Sequence, residues 1–217
     1  SLDENFPGGY GVELADIDGD SLLDVVALSI NPAQFVWYKN PGWEKYSIST
    51  VTAANIDAAP NDIDGDGDVY LVLASGFSLG NSTAGGLMHW LENPGNPTQS
   101  QQWQMHSIGQ VPTTHRVKWG DINGDGIDDL LVGAPNGDGA AGTNLGESYI
   151  VFGSTSAFAA AFSVNTLDGA NGFRLDGPDD NRYSGYSISD AGDINGDGLD
   201  DIIIGQLGYD GDDKLDG

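Results

Sequence analysis

Short apolar runs recur along the chain, separated by polar turn residues. Four of these runs directly follow loops rich in aspartate and glycine, and they read LLDVVALSI, VYLVLAS, LLVGA and IIIG. Continuous apolar runs of this length are typical of strands buried on both faces. Apolar residues at helical spacing are nearly absent, and the exception is residues 156–162, which fit one helical turn. The pattern therefore predicts a protein built from short strands.

The same order of segments repeats around each Asp/Gly loop. The loops begin at Asp16, Asp62, Asp121 and Asp193, so the copies are spaced 46, 59 and 72 residues apart. One strand-like segment precedes each loop and the apolar strand follows it. Two shorter strands then close the unit, as in QFVWYKN and KYSIST. Four antiparallel strands per repeat at this period are typical of β-propeller blades.

The sequence thus predicts an all-β fold of four-stranded antiparallel β-propeller blades in a single repeat domain. We place blade 1 at residues 1–55, blade 2 at 56–111, blade 3 at 112–177 and a partial blade 4 at 178–217. Propellers usually have about 4–8 blades, and the chain accounts for about three and a half. Because open sheet edges invite association, we expect a longer parent chain or a self-assembly that completes the ring.

The Asp/Gly loops have the spacing expected of a calcium site. The pattern D-x-[DN]-x-D-x-x-x-D places side-chain oxygens at positions 1, 3, 5 and 9 and a main-chain carbonyl at position 7. Ca²⁺ binds about 6–8 oxygens, and glycine at position 4 allows a left-handed turn. The predicted ligands are Asp16, Asp18, Asp20, the Leu22 carbonyl and Asp24 in loop one (residues 16–24); Asp121, Asn123, Asp125, the Ile127 carbonyl and Asp129 in loop three (121–129); and Asp193, Asn195, Asp197, the Leu199 carbonyl and Asp201 in loop four (193–201).

Loop two (residues 62–70) departs from this pattern. It contains Asp62, Asp64 and Asp66, but Tyr70 stands where the fourth carboxylate belongs. We therefore expect three strong Ca²⁺ sites and a weaker fourth, in which Asp68 or water completes the ligands or the site stays empty. The loops are not EF-hands, because the twelfth position falls within a strand-like run where an EF-hand has a bidentate Glu.

Hairpin turns without a metal are the alternative interpretation of these loops. The four loops are in register and hold 16 of the 28 Asp residues. Carboxylates clustered in this way repel one another unless a cation lies among them. The pattern therefore favours calcium.

The composition excludes several classes of partner. Lys and Arg number 7 against 33 Asp and Glu, a formal net charge of −26, so the chain lacks the basic face that nucleic acids need. The same charge disfavours docking on anionic lipid. The sequence has no run of 18 apolar residues, so it predicts no transmembrane helix. The first residues show no signal-peptide pattern, and cysteine is absent, so no disulfide holds the fold.

Two segments resemble FG-GAP repeats, the Ca²⁺-binding blades of integrin α-subunit propellers. They are SGYSISDAGDINGDGLDDIIIGQ and VKWGDINGDGIDDLLVGAP, while GYGVELADIDGDSLLDVVALS matches more loosely. VWYKNPGW and MHWLENPG resemble the VCBS subtype, and the N-terminal part is similar to VCBS propellers of the aldos-2-ulose dehydratase type. The resemblance implies a secreted or cell-surface, extracellular location with a protein or carbohydrate ligand.

Few residues suggest catalysis. His115 and Arg116 open the first strand of blade 3, near the expected central channel, and are the candidates for acid–base chemistry. Trp37 and Trp90 occupy equivalent strand positions and are expected in the core. Trp43 and Trp103 lie beside polar runs, where they are candidates for exposed stacking surfaces.

Three functions are compatible with the sequence. The first is a calcium-stabilised extracellular module for adhesion or recognition, and the second is a structural tile in an assembly. The alternative is the propeller domain of a carbohydrate-active lyase or dehydratase. We found no Ser/His/Asp, H-E-x-x-H or P-loop signature, which favours a module without enzymatic activity.

Overall fold

Three four-stranded sheets and the start of a fourth follow one another along the chain. The computed structural model of the protein describes residues 2–63, 65–78, 84–138, 144–154, 163–209 and 215–216. Every paired strand is antiparallel to its neighbour. The first sheet contains β1 (Gly9–Ala15), β2 (Asp24–Ser29), β3 (Gln34–Lys39) and β4 (Glu44–Ser49). The second contains β5 (Asp57–Asn61), β6 (Tyr70–Ser75), β7 (Leu87–Glu92) and β8 (Gln104–Gln110).

The third sheet contains β9 (Arg116–Gly120), β10 (Asp129–Ala134), β11 (Glu147–Val151) and β12 (Gly172–Asp176). The remaining pairs are β13 (Ser187–Asp190) with β14 (Ile202–Gly205) and β15 (Gly208–Tyr209) with β16 (Leu215–Asp216). In each of the three complete sheets the strand order follows the chain order. The predicted all-β fold of four-stranded antiparallel blades is confirmed.

Helical structure within the described residues is limited to one 3₁₀ turn at Val164–Thr166. The helical turn predicted for residues 156–162 lies outside the described residues, and the blade limits stay a prediction. None of the helical structure in the described ranges is long and apolar enough to span a membrane.

The second strand of each complete sheet is its buried centre. Every residue of β6 and every residue of β10 is buried, and β2 is buried at all but one position. These strands are the continuous apolar runs of the sequence, and they need apolar side chains on both faces because a sheet packs on each side. The run that follows each Asp/Gly loop therefore places that loop at the end of a rigid, fully packed strand.

Adjacent sheets bury their facing sides against each other. Trp37 and Phe35 of the first sheet share one core with Leu71 and Leu91 of the second. The opposite face of the second sheet packs on the third through a cluster that includes Val72, Met88, Val132 and Val151. Leu131 and Ile150 then pack against Ile188 of β13. Each interior sheet is thus enclosed by its two neighbours, as in a propeller.

The first strands of successive sheets line the inner side of this arc. β1 contacts β5, β5 contacts β9, and β9 contacts β13. The Lys118 Nζ lies 2.6 Å from an oxygen of Glu13 on β1 and 3.6 Å from an oxygen of Asp57 on β5. Asp57 also accepts a hydrogen bond from the main-chain N–H of Val117 at 3.0 Å. Lys118 of the third sheet therefore joins three repeats at the axis of an otherwise acidic protein.

Candidate metal centre

The four Asp/Gly loops share one backbone conformation. At position 4, Gly19, Gly65, Gly124 and Gly196 have φ values of 74°, 76°, 73° and 79°. Position 6 is also left-handed, and Gly occupies it in loops two, three and four. Loop one has Ser21 there with φ 67°. Two left-handed residues separated by one position explain why loops two, three and four read [DN]-G-D-G, since glycine adopts this conformation without steric cost.

The first Asp of each loop accepts main-chain hydrogen bonds from residues later in the same loop. The Asp121 carboxylate receives the N–H of Asp125 at 3.1 Å and that of Gly126 at 2.8 Å. The corresponding bonds in loop one run from Asp20 and Ser21 to Asp16. In loop four, Asp193 accepts the N–H groups of Asp197 and Gly198 in the same way. In loop two, Asp62 accepts the N–H of Gly67 at position 6 and that of Gly65 at position 4. The bond from position 6 is therefore shared by all four loops, including loop two with its unusual ninth residue.

The ninth residue fastens the loop to the sheet. Asp24 and Asp129 are fully buried. Asp129 Oδ2 accepts the N–H of Ile122 at 3.0 Å, and its Oδ1 accepts the N–H of Gly153 at 2.8 Å. Asp24 makes the equivalent bonds to Ile17 and Asn40. Burial raises the pKa of both carboxyls above their ordinary value. Asp24 and Asp129, which the sequence predicts as ligands, thus also accept main-chain N–H groups that hold the loop against the sheet. The spacing of the aspartates alone did not indicate this role.

Carboxylates converge most closely in loop one. One ligand oxygen from each of Asp16, Asp18 and Asp24 lies within 4.8 Å of the others, and this is the cluster of three that the described part of the chain contains. Asp18 Oδ1 is buried and has no hydrogen-bond partner. A buried carboxylate oxygen without a partner is costly, so the residues present fit a bound hard cation. The N–H of Leu22 donates to Asp20 Oδ1 at 3.0 Å, and the Leu22 carbonyl stays a predicted ligand.

A lysine also reaches loop one. Lys39, at the end of β3, places its ammonium on Asp18 Oδ2 and lies 2.8 Å from Asp20 Oδ2. These two carboxylates raise the pKa of Lys39 above its ordinary value. The sequence pattern gave no sign of this contact, because Lys39 is far from the loop in sequence.

The loops and the strands around them match a known repeat family. The model of the FG-GAP-like repeat matches residues 16–73 and 62–132, and the model of the FG-GAP repeat matches residues 117–151. The chain belongs to the FG-GAP-like repeat family. This confirms the FG-GAP part of the resemblance seen in the sequence, whereas the likeness to VCBS repeats and to aldos-2-ulose dehydratase stays a prediction.

Integrin α subunits are similar to this FG-GAP chain. Integrin alpha-M of Mus musculus is 27% identical over 161 residues, which is 68% of the chain and 12% of that protein. Integrin alpha-PS2 of Drosophila melanogaster is 32% identical over 98 residues, 45% of the chain and 6% of that protein. Integrin alpha-2 of Mus musculus is 34% identical over 88 residues, 41% of the chain and 7% of that protein. The chain therefore spans a small fraction of each relative.

FG-GAP loops three and four combine carboxylates with an amide. Asn123 and Asn195 stand at position 3, and each side-chain oxygen accepts an N–H at 2.9 Å, from Asp125 and Asp197 respectively. In loop four, Asp201 Oδ2 accepts the N–H of Ile194 at 2.9 Å. Within the described loops these two do not form a cluster of three carboxylates like that of loop one. Position 3 is therefore uncharged in these two loops, whereas loop one has Asp18 there.

Loop two is fastened from a neighbouring strand. Tyr70 is buried in β6, and Asp64 lies outside the described residues. Asn93, just after β7, donates its side-chain N–H to the carbonyl of Val69 at 3.3 Å and to that of Ile17 at 2.9 Å. Asn93 therefore holds loop two in place from outside the loop, a role that the loop pattern did not predict. The signal was present in the repeated K/E-N-P-G segments, where Asn40 and Asn93 are equivalent.

His115 is enclosed by aromatic residues of the other repeats. Its side chain is 1% exposed, and its ring contacts Tyr10, Phe77 and Tyr186. Nδ1 lies 2.8 Å from the carbonyl of Tyr186, so it donates there, and Nε2 accepts from the Tyr10 hydroxyl at 2.7 Å. Burial and the charge of Arg116 lower the pKa of His115 to about 4. Both ring nitrogens are occupied, so this geometry gives His115 a structural role.

The tryptophans differ in exposure from one another. Trp103 is 1% exposed and packs in the core between the first two sheets, so it offers no stacking surface. Trp43 is 41% exposed. Trp37 is fully buried as expected, whereas Trp90 is half-buried and stacks on His106 with ring centroids 3.9 Å apart.

The guanidinium of Arg116, the other candidate for acid–base chemistry, lies 5.4 Å from the centroid of the Tyr10 ring.

Proposed function

We propose that this chain is an extracellular, calcium-stabilised propeller segment that acts in adhesion or recognition. The observation that supports calcium most directly is the convergence of Asp16, Asp18 and Asp24 around the unpartnered Asp18 Oδ1. Calcium would neutralise carboxylates at the turn that joins the first two strands of a blade. The proposed ligands in the other loops are those named from the sequence, with loop two weakest.

The expected energetic effect is moderate. Extracellular calcium modules bind with dissociation constants of about 10⁻⁴–10⁻³ M. At about 1 mM Ca²⁺, one such site adds about 0.4–1.4 kcal/mol to the free energy of unfolding. Three independent sites would add about 1–4 kcal/mol, which is a substantial part of a usual net stability of about 5–15 kcal/mol. Because the loops are already folded by main-chain bonds, calcium would stabilise the fold without switching it.

A calcium titration tests this proposal. The melting temperature of the purified chain is measured in EDTA, in about 1 mM Ca²⁺ and in about 1 mM Mg²⁺. We expect Ca²⁺ to raise it by several degrees and Mg²⁺ to raise it less, because Mg²⁺ demands a tighter octahedral site. Equal melting temperatures in EDTA and Ca²⁺, with metal removal verified by elemental analysis, would contradict the calcium role.

The integrin α relatives support a protein ligand at the cell surface, and a carbohydrate ligand is the alternative. A cleft of about 280 Å³ lies between loops two and three, where Asp62, Trp119 and Asp128 are part of its wall. Asn61 donates to Asp128 Oδ2 at 3.0 Å and fixes one side of this cleft.

Binding to arrays of purified extracellular proteins and glycans, with and without calcium, tests recognition. Trp119→Ala should weaken any binding at the cleft, and Trp43→Ala separately tests the exposed stacking candidate outside it.

Assembly with further blades is supported by one uncovered apolar face. Val12 is 65% exposed and Leu14 is 56% exposed, both on the face of β1 turned away from the second sheet. Packing of another sheet there, from a longer parent chain or a second copy, would remove this apolar area from water. Light scattering coupled to size exclusion tests self-assembly, and Leu14→Lys should abolish an association that uses this face.

A lyase or dehydratase activity finds less support in the geometry. General acid–base catalysis needs a titratable group within reach of a substrate, and His115 is buried with both ring nitrogens hydrogen-bonded. Arg116 donates to the carbonyl of His115 at 2.7 Å and lies over Tyr10. We therefore propose no second function.

A further inference from the structure

Lys39 of β3 places a positive charge against the carboxylates of loop one. The Lys39 ammonium contacts Asp18 Oδ2 and Asp20 Oδ2, two of the predicted calcium ligands. The side chain of Lys39 is 27% exposed and that of Asp18 is 12% exposed. The ion pair is thus partly shielded from water, where it is screened less than a surface pair.

The corresponding position in the second and third repeats is not basic. The residue after Lys39 donates its N–H to Asp24, as Gly153 does to Asp129 in the third repeat. Phe152 therefore corresponds to Lys39, and the aligned N-P-G segments place Glu92 there in the second repeat. A lysine at this position distinguishes the first repeat from the next two.

Lys39 also offsets the additional carboxylate among the predicted ligand positions of loop one. Loop one has carboxylates at positions 1, 3, 5 and 9, a charge of −4, and Lys39 brings the total to −3. The predicted ligand positions of loops three and four have Asn at position 3 and carboxylates at positions 1, 5 and 9, a charge of −3. Each of these two loops has one more carboxylate at position 8, Asp128 or Asp200, which is not among the predicted ligands. The additional carboxylate, Asp18, is one of the two that Lys39 contacts.

We propose that Lys39 is a resident cation of loop one that takes over part of the role of Ca²⁺. It holds Asp18 and Asp20 together in the absence of metal, and it opposes Ca²⁺ by charge repulsion and by occupying Asp20. Loop one therefore stays ordered without calcium and binds calcium more weakly than loops three and four. This inference rests on the proposed calcium function for its affinity component and on the ion-pair geometry for its metal-free component.

Hydrogen exchange of the whole chain, followed by mass spectrometry, resolves the loops from one another. Exchange in peptides covering residues 15–24, 120–129 and 192–201 is followed in EDTA and over a Ca²⁺ titration. The variants are Lys39→Met, Lys39→Arg and the charge-matched control Lys45→Met, since Lys45 pairs with Asp3 outside loop one.

In Lys39→Met, the Ca²⁺ concentration that half-protects loop one from exchange (its calcium midpoint) should fall by about tenfold or more, because a nearby positive charge is removed. The same loop should exchange faster than wild type in EDTA. Lys39→Arg and Lys45→Met should keep wild-type values, and loops three and four should be unchanged in every variant.

Two failures are distinguishable. Unchanged exchange and an unchanged midpoint of loop one in Lys39→Met would overturn the role of Lys39, while calcium protection of loops three and four would leave the calcium proposal intact. If no loop responds to about 10 mM Ca²⁺, the calcium function and the affinity component fail together. Faster loop-one exchange in EDTA would then support the metal-free component alone.

Discussion

The hydroxyl of Tyr10 donates a hydrogen bond of 2.7 Å to Nε2 of His115, a residue 105 positions further along the chain. Tyr10 lies on β1 of the first sheet, and His115 directly precedes β9 of the third. The other ring nitrogen of His115 bonds to Tyr186, just before β13. One neutral imidazole therefore connects the first, third and fourth repeats.

Stability should fall in mild acid because His115 is neutral in the folded state. Its folded pKa is about 4, below the ordinary 6.5, so the unfolded chain binds more protons between these values and stability decreases as pH falls from 6.5 towards 4. We expect His115 to cost about 2 kcal/mol between pH 7 and pH 5. Urea unfolding at both pH values, compared between wild type and His115→Gln, measures this. An equal pH dependence in the two proteins would contradict it, and His106→Gln controls for a more exposed histidine.

Replacing Ser21 by glycine should stabilise loop one. Ser21 has φ 67° at the position where the other three loops have glycine, and a non-glycine residue in this region carries about 1 kcal/mol of strain. We expect Ser21→Gly to raise the free energy of unfolding by about 0.5 kcal/mol after the entropy of the unfolded chain is included. The reverse change, Gly126→Ser at φ 84° with open space around it, should destabilise by about 1 kcal/mol. Thermal unfolding of both variants checks the signs, which must be opposite.

Asp129→Asn should destabilise the protein even without calcium. Both carboxylate oxygens accept main-chain N–H groups, and the amide nitrogen of Asn cannot accept, so one buried donor loses its partner at a cost of about 1–3 kcal/mol. Chemical unfolding in EDTA measures this loss. Asp128→Asn, at the adjacent exposed position, should change stability by less than about 1 kcal/mol. A loss seen only in the presence of calcium would instead make Asp129 purely a ligand.

Trp103→Ala should destabilise strongly, whereas Trp43→Ala should not. Trp103 is 1% exposed, and its main-chain N–H donates to the Ile48 carbonyl of the first sheet at 2.9 Å. Truncating a buried Trp costs about 3–5 kcal/mol. Trp43 is 41% exposed, so its truncation should cost under about 1 kcal/mol. If Trp103→Ala prevents folding, Trp103→Phe gives a measurable partial loss, and similar values for positions 43 and 103 would contradict the assignment.

The strand order and the loop conformation could be predicted because they depend on local patterns. The buried runs of β6 and β10 and the left-handed glycines of the loops follow from residues adjacent in sequence. Contacts between repeats could not be predicted in this way. Asn93 reaches Ile17 across 76 positions, and Lys39 reaches Asp18 across 21. The polar neighbours of Trp103 favour an exposed stacking position, yet Trp103 lies in the core between two sheets.

The contacts of β1 with the third sheet also determine how the molecule would carry mechanical load. The Tyr10–His115 hydrogen bond and the Glu13–Lys118 ion pair bypass the second sheet. Tension applied to residue 9 would therefore reach β9 directly, as well as through the ladder between β1 and β2. Detaching β1 requires these bonds to shear together, so the strand at this end of the arc is clamped against extension by two sheets at once.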